Sequence, residues 1–345
     1  MSLNMFNVAV IGATGLVGQA IVEILEQRNF PVKKIFLLAS SRSIEKTLVF
    51  KNSNIDVLDL ANFDFKLEQI DIAFFSAGGS VSAKYAPIAA SAGCVVIDNT
   101  SHFRYQKDIP LIIPEINPAD LDLYRQNNII ANPNCATIQA LMVLKPIYDL
   151  VGIDKIDFVT YQSVSGTGRA AVTELVDQIT NSLSGRPIEA KVYPKQIAFN
   201  ILPHIDEFQP NGYTKEEMKM VWETHKILHD DTIKITVTAC RVPTLFGHSI
   251  AMHVVTKKPL KSEKAREALL AAPGVSVMDD PKNNIYPTII PDAVGSDQTT
   301  VGRIRNFLND DNGLAMWVVA DNIRKGAALN AVQIAEMLLA RHMLK

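Results

Sequence analysis

"VAVIGATGLVG", Val8 to Gly18, reads as a strand, a tight turn and the start of a helix. Apolar residues run into Gly12, Gly15 and Gly18 follow at intervals of three, and an amphipathic stretch from Leu16 to Gln27 takes over. Glycine lets such a turn tighten and lets the backbone approach a ligand. The helix start beyond it offers unbonded N–H groups and partial positive charge, which suits a phosphate. The spacing is GxxGxxG and not GxGxxG, and glycine turns also join strands to helices where nothing binds. Weight comes from its position at the head of an alternating pattern.

That pattern continues outward. "KKIFLLAS", "IDIAFFSAG", "CVVIDN" and "NIIANPNC" are strand-like runs, and Val81 to Ala92 is helix-like between them. Apolar strands alternating with amphipathic helices predict a parallel sheet covered by helices. A second glycine turn, "SAGGS" at 76–80, follows about the fourth strand and is placed to line the same crevice with Ser76 and Gly78. The second strand ends "LLASSRS" without the carboxylate that takes ribose hydroxyls. Ser41 and Arg42 suit a 2′-phosphate, giving NADP over NAD, unless Arg42 is only a solvated loop residue.

The pattern changes at Ala136. Thr137 to Tyr148 predicts a helix, apolar at Ile138, Leu141, Met142, Leu144 and Ile147. Beyond residue 153, "KIDFVTYQSVSG", "IKITVTACRVP" and "HSIAMHVVT" are long strand-like runs, with one helix near 170–183 and an irregular stretch at 186–212. Long strands without regular crossovers predict a mixed or antiparallel sheet. The expected division is a dinucleotide-binding domain over 1–134, completed by an amphipathic helix over 322–345, and a catalytic domain over 135–321.

With 345 residues, 48% of them hydrophobic, the chain can fill two cores. Its 34 basic and 36 acidic residues leave a net charge of −2 with no like-charge block, which argues against nucleic acid or an anionic membrane as partner. The N-terminus lacks a basic region and a cleavage site, and no segment has the length of a membrane span, so a cytoplasmic location is expected. Cys94, Cys135 and Cys240 form no CxxC pair, so neither a disulfide framework nor a metal site is expected.

Of the three thiols, Cys94 and Cys240 sit inside apolar strand runs and read as core. Cys135 follows "NPN" at a strand-to-helix junction, where a helix N-terminus lowers a thiol pKa. It is flanked by Asn134 and Thr137, which can hydrogen-bond there. A thiol nucleophile needs a base. Among His102, His204, His225, His229, His248, His253 and His342, His248 stands out in "CRVPTLFGHS", with Arg241 upstream. Arg104 in "IDNTSHFRY" and Arg241 are each placed for anion binding or for a structural ion pair. Glu223 and Lys226 in "WETHK" share a helical face and could form an exposed ion pair. In "TYQSVSGTGR", Gln162 beside a glycine turn could orient a substrate or a water.

In their order, "GATGLVG", "ASSRS", "FSAGGS", "IDNTSHFR", "PNCATIQ", "YQSVSGTGR", "ETHKIL", "CRVPTLFGHS" and "DNIRKGAALNA" resemble the blocks of bacterial aspartate-β-semialdehyde dehydrogenases over nearly the whole chain. The resemblance implies an α/β protein, a Rossmann-type domain plus an α+β catalytic and dimerisation domain with a mixed sheet. It implies NADPH-dependent reduction of 4-phospho-L-aspartate to L-aspartate 4-semialdehyde with release of phosphate, on the path to lysine, through diaminopimelate, and to threonine, methionine and isoleucine.

By the same resemblance, Cys135 is the nucleophile that forms an acyl-thioester and His248 the general acid/base. Gln162 and Arg241 hold the amino-acid end, Arg241 on the α-carboxylate, with Glu223 at the amino group. Arg104 and Lys226 bind phosphate. Gly12, Ala13, Thr14, Gly15, Leu16, Gly18, Ser41, Arg42, Ser76, Gly78, Ser165, Gly166 and Asn322 contact NADP. The Cys135 N–H and the Asn134 side chain are expected to form the oxyanion site. A homodimer or homotetramer is implied. The neighbouring family, N-acetyl-γ-glutamyl-phosphate reductase, shares the thiol, histidine and nicotinamide chemistry. Glu223 and Arg241 favour a free amine beside a carboxylate.

Overall fold

The computed structural model describes residues 5–341. The chain forms two compact units, one joining the segment up to Asn134 with that from Ala327, the other Cys135–Gly326. His342 and the end of the tail helix expected to Lys345 lie outside the described residues.

The first unit is a seven-stranded sheet. In chain order its elements are β1 (Phe6–Ile11), α1 (Leu16–Gln27), β2 (Val32–Ala39), β3 (Thr47–Phe50), β4 (Ser53–Asp59), β5 (Ile72–Phe75), α2 (Gly79–Ser91), β6 (Val95–Asp98) and β7 (Ile129–Ala131). The strand order is β3-β4-β2-β1-β5-β6-β7, and only the β3–β4 pair is antiparallel. β5 ("IAFF") and β6 ("VVID") are buried throughout, as strands covered on both faces must be.

β3 and β4 form a hairpin that the sequence patterns do not announce. Its two turn residues, Lys51 and Asn52, have φ of 48° and 62°, the left-handed pair of a type I′ turn, without the glycine that usually marks one. Because of it, the "SAGGS" turn follows the fifth strand in the chain.

β1 lies between β2 and β5, where the direction of winding reverses and ligands of open parallel sheets collect. Both strands flanking that switch end in glycine turns. Gly12 has φ of 81°, and a Cβ there would sit 2.8 Å from the Ser76 carbonyl oxygen. The turn after β1 therefore passes against the turn after β5 at a distance only glycine allows. A Cβ at Gly18 would meet the Gly12 carbonyl oxygen at 2.2 Å, so the third glycine seats α1 on its own turn.

The second unit is a six-stranded mixed sheet with helices. Its elements are α3 (Cys135–Val151), β8 (Ile153–Gln162), α4 (Arg169–Leu183), α5 (Lys215–Leu228), β9 (Lys234–Arg241), β10 (His248–Thr256), α6 (Ser262–Ala271), β11 (Val275–Val277), β12 (Thr299–Phe307) and β13 (Asp310–Ala320). The order is β11-β12-β13-β10-β8-β9, parallel at the two outer pairs and antiparallel between. α3 lies on this sheet and buries Ile138, Leu141, Met142, Leu144 and Ile147. On β8, Ile156, Phe158, Thr160 and Gln162 alternate inward.

The irregular segment after α4 is held by two side chains one helical turn apart. Glu174 accepts from the backbone N–H groups of Lys191 and Val192, and Gln178 accepts from those of Ile197 and Ala198. This folds Tyr193, Ile197, Ala198 and Leu202 into a small apolar cluster with Leu175.

The tail departs from the single helix expected from Asn322. A π turn, Arg324–Ala328, precedes α7 (Leu329–Ala340). The Asp321 carboxylate accepts from the N–H groups of Ile323 and Arg324 at 2.8 and 3.0 Å, so Asn322 stays in the turn ahead of the helix. Residues 322–326 belong to the second unit and α7 to the first, where Arg28 forms a bidentate pair with Glu336.

Candidate active site

Strand register brings together residues that lie far apart in the chain. Gln162, the last residue of β8, stands opposite His248 on β10 and beside Arg241 on β9. His248 in turn faces Ala320 on β13, one strand spacing of about 4.8 Å further on. Three side chains buried to 4% exposure or less thus end neighbouring strands in one row.

Cys135 opens α3, where the positive end of the helix dipole favours a negative sulfur. Its Sγ lies 3.4 Å from His248 Nε2. A Cβ at Gly326 would come within 3.0 Å of the Cys135 Cβ, so a glycine is needed where the chain passes the thiol.

The other imidazole nitrogen decides the tautomer. Ser163 N–H, which can only donate, points at His248 Nδ1 at 3.1 Å. Nδ1 therefore accepts, and the ring hydrogen resides on Nε2, directed at the sulfur. Complete burial, helped by the Arg241 charge, pushes the His248 pKa down to about 3. The ring is neutral at physiological pH and acts on Cys135 as a donor.

Asn322 braces this turn. Its Oδ1 accepts from Gly247 N–H at 2.8 Å and from the Ser163 and Ser165 hydroxyls at 3.2 and 3.3 Å, and its Nδ2 donates to Ser165 Oγ. Arg241 Nη1 donates to Ser163 O at 2.7 Å, and its guanidinium carbon lies 6.0 Å from the centre of the Tyr193 ring. A Cβ at Gly166 would fall 3.0 Å from Arg241 Nη1 and 3.5 Å from His248 Nε2. Glycine keeps that space clear above both groups.

α5 carries an alternating stripe, Glu216, Lys219, Glu223 and Lys226, spaced three, four and three. Glu223 is fully buried, which rules out an exposed ion pair for it. Gln162 Nε2 donates to Glu216 Oε1 at 3.2 Å.

In the first unit, α1 and α2 both start at glycine without a capping side chain and without an acidic residue in the first turn, leaving their N–H groups for an anion. Ser41 and Arg42 are exposed in a short turn directly after β2. Arg104 is buried and donates to Asn99 O at 2.8 Å. The turn before it is tied by Asp98, which accepts from Ser82 Oγ and from Thr100 N and Oγ1.

Two domain models match the chain: semialdehyde dehydrogenase NAD binding domain over residues 7–124, and semialdehyde dehydrogenase dimerisation domain over 144–325. An aspartate-semialdehyde dehydrogenase of Legionella pneumophila is 57% identical over 98% of this chain and 97% of its own length. The chain belongs to the aspartate-semialdehyde dehydrogenase family. Aspartate semialdehyde dehydrogenase II of Vibrio cholerae, solved in complex with ASA, superposes with a TM-score of 0.95 at 52% identity, covering 98% of this chain and 99% of that one. The Candida albicans enzyme, solved with NADP, superposes at 0.78 with 25% identity over 98% and 99%.

As an aspartate-semialdehyde dehydrogenase, the chain carries an NAD-binding and a dimerisation domain. The second unit gathers Cys135, His248, Gln162, Arg241, Ser165, Gly166 and Asn322 around one turn, with Glu223 and Lys226 on α5. Gly12, Ala13, Thr14, Gly15, Leu16, Gly18, Ser41, Arg42, Ser76, Gly78, Arg104 and Asn134 belong to the first unit. The Ser165 and Asn322 side chains hydrogen-bond each other. Ser163, Glu216, Lys219, Tyr193 and Gly326 also lie at or beside this site, and none carries a chemical signal of its own in the sequence. Ser163 and Gly326 stood inside quoted motifs, whereas Glu216 and Tyr193 had no local signal.

Proposed function

We propose that the chain reduces 4-phospho-L-aspartate to L-aspartate 4-semialdehyde with NADPH, releasing phosphate, through an acyl-thioester on Cys135. The observation that carries this reading is the Cys135 Sγ at 3.4 Å from His248 Nε2 at a helix start. The curated relatives at 46–57% identity bear the aspartate-semialdehyde dehydrogenase name, which favours this over N-acetyl-γ-glutamyl-phosphate reductase.

The Cys135 thiolate attacks the acyl phosphate carbonyl, the C–S bond forms as the C–O bond to phosphate breaks, and phosphate leaves with the electron pair. His248 holds its Nε2 hydrogen toward the sulfur and toward the carbonyl oxygen on which charge develops. Because Nδ1 accepts from Ser163, His248 serves as a donor in these steps. Bound NADPH supplies the hydride that reduces the thioester. Sulfur is then expelled as thiolate, back under the Nε2 hydrogen.

Arg241 takes the α-carboxylate with the guanidinium edge not bonded to Ser163, and Gly166 leaves it room. Gln162 holds the amino-acid end beside Arg241, Glu223 takes the amino group, and Arg104 and Lys226 take the phosphate. The Asn134 side chain and the Cys135 N–H serve as the oxyanion site.

The glycine turns fit a dinucleotide: the Gly12 position is closed to any side chain, and two uncapped helix starts follow β1 and β5. Gly12, Ala13, Thr14, Gly15, Leu16 and Gly18, with Ser76 and Gly78, would hold the pyrophosphate, and Ser41 and Arg42 the 2′-phosphate. The Ser165–Gly166 backbone and the Asn322 amide would serve the nicotinamide end. The enzyme acts as a homodimer or homotetramer, in the cytoplasm, where its three free thiols stay reduced.

The test is a phosphate-dependent oxidation assay of the purified protein with NADP and either aspartate semialdehyde or N-acetylglutamate semialdehyde. Turnover of the first is expected; faster turnover of the second would reverse the assignment.

A further inference from the structure

We infer that Glu216 is a positioning residue for this reaction, its carboxylate fixing which end of the Gln162 amide faces the substrate. The inference rests on the placing of Gln162 at the substrate in the reading above.

A glutamine amide offers an acceptor at one end and a donor at the other, and only its surroundings choose between them. Here the surroundings are one-sided. Glu216 Oε1 lies 3.2 Å and Thr160 Oγ1 3.3 Å from Gln162 Nε2. All three residues are at least nine-tenths buried. A carboxylate only accepts, so the NH2 end must face it, and the reverse orientation would set two oxygens against each other in a low-dielectric site.

Glu216 is itself held. Lys219 Nζ donates to Glu216 Oε2 at 2.9 Å and to Asp206 Oδ2 at 2.7 Å. Burial works against the Lys219 charge, but Glu216 and Asp206 outweigh it and raise its pKa. A cation with two carboxylates keeps Glu216 in its acceptor form.

With both Nε2 hydrogens engaged, Oε1 is what Gln162 has left for a ligand. An amide oxygen accepts and cannot donate, so its partner must bring a hydrogen. The amino group of the substrate does; its carboxylate and phosphate do not. Glu216 thereby assigns Gln162 to the ammonium and leaves the carboxylate to Arg241.

Glu216→Gln tests this without changing shape. Lys219 would take the new amide's oxygen, its NH2 would turn to Gln162, and Gln162 would invert to present a donor. The expected result, in the oxidative assay, is a KM for aspartate semialdehyde raised roughly tenfold or more with kcat within about threefold. In a Gln162→Ala background the same change should add less than about twofold, since its effect passes through Gln162. A kinetically silent Glu216→Gln beside an impaired Gln162→Ala would overturn the inference, as would an equal penalty in both backgrounds. A silent Gln162→Ala would instead remove Gln162 from the substrate site, taking the earlier reading of that residue down with this one. Should Glu216→Gln not fold, Lys219→Met must raise KM in the same Gln162-dependent way, and its silence would overturn the inference equally.

Discussion

Ser163 N–H points at His248 Nδ1 from 3.1 Å, and this one backbone hydrogen fixes the chemistry of the imidazole on the far side of the ring. A ring that must accept at Nδ1 keeps its hydrogen on Nε2, next to Cys135. It is also a ring that resists a second proton.

That resistance has a consequence for stability. In the unfolded chain His248 titrates near 6.5, and in the folded chain near 3. Between these values the unfolded state binds the extra proton, so stability contributed by neutral His248 is present above pH 6.5 and is lost as pH falls toward 3. From pH 7 to 5 the loss amounts to about 2 kcal/mol. Chemical denaturation of wild type and His248→Asn at both pH values should show the variant losing less on acidification. Identical losses would mean that His248 is not buried as a neutral ring.

Arg241→Lys keeps the charge and discards the fork. A point charge cannot donate to Ser163 O and bind a carboxylate edge together. KM for aspartate semialdehyde should rise about 10- to 100-fold, with a smaller change in kcat. A kinetically silent variant would place the carboxylate elsewhere.

Arg42→Ala should weaken NADPH far more than NADH, because Arg42 is exposed just after β2 and in the proposed site would meet a 2′-phosphate only in the first. Comparing the two dissociation constants checks it. Equal losses remove Arg42 from that site.

Gly12→Ala should cost about 1–3 kcal/mol of stability and reduce NADPH affinity together, since its Cβ would enter the Ser76 carbonyl at a positive φ. Thermal unfolding with and without NADPH measures both. An alanine variant of unchanged melting temperature would contradict the close approach of the two turns.

Much of the first unit could be read from periodicity because parallel strands buried on both faces are written as continuous apolar runs, and Leu16–Gln27 matches α1 to the residue. The β3–β4 hairpin escaped because Lys51 and Asn52 enter the left-handed region without glycine. In the second unit the row Arg241–Gln162–His248 depends on register between strands, which local patterns do not encode. Glu216 escaped for the same reason: its meaning lies in a contact with Gln162, 54 positions away. The helix expected from Asn322 failed where Asp321 captures the first N–H groups and delays the α-helix.

The proposed reaction passes through a covalent intermediate on Cys135. Incubating the protein with aspartate semialdehyde and NADP while withholding phosphate should leave an aspartyl thioester on the thiol, because the acceptor that releases it is missing. Mass spectrometry should find one added acyl group confined to the peptide carrying Cys135, discharged when phosphate is supplied and absent from Cys135→Ala, which keeps NADPH binding and loses turnover. An adduct on another residue, or a Cys135→Ala protein that still turns over, would show that Cys135 is not the nucleophile.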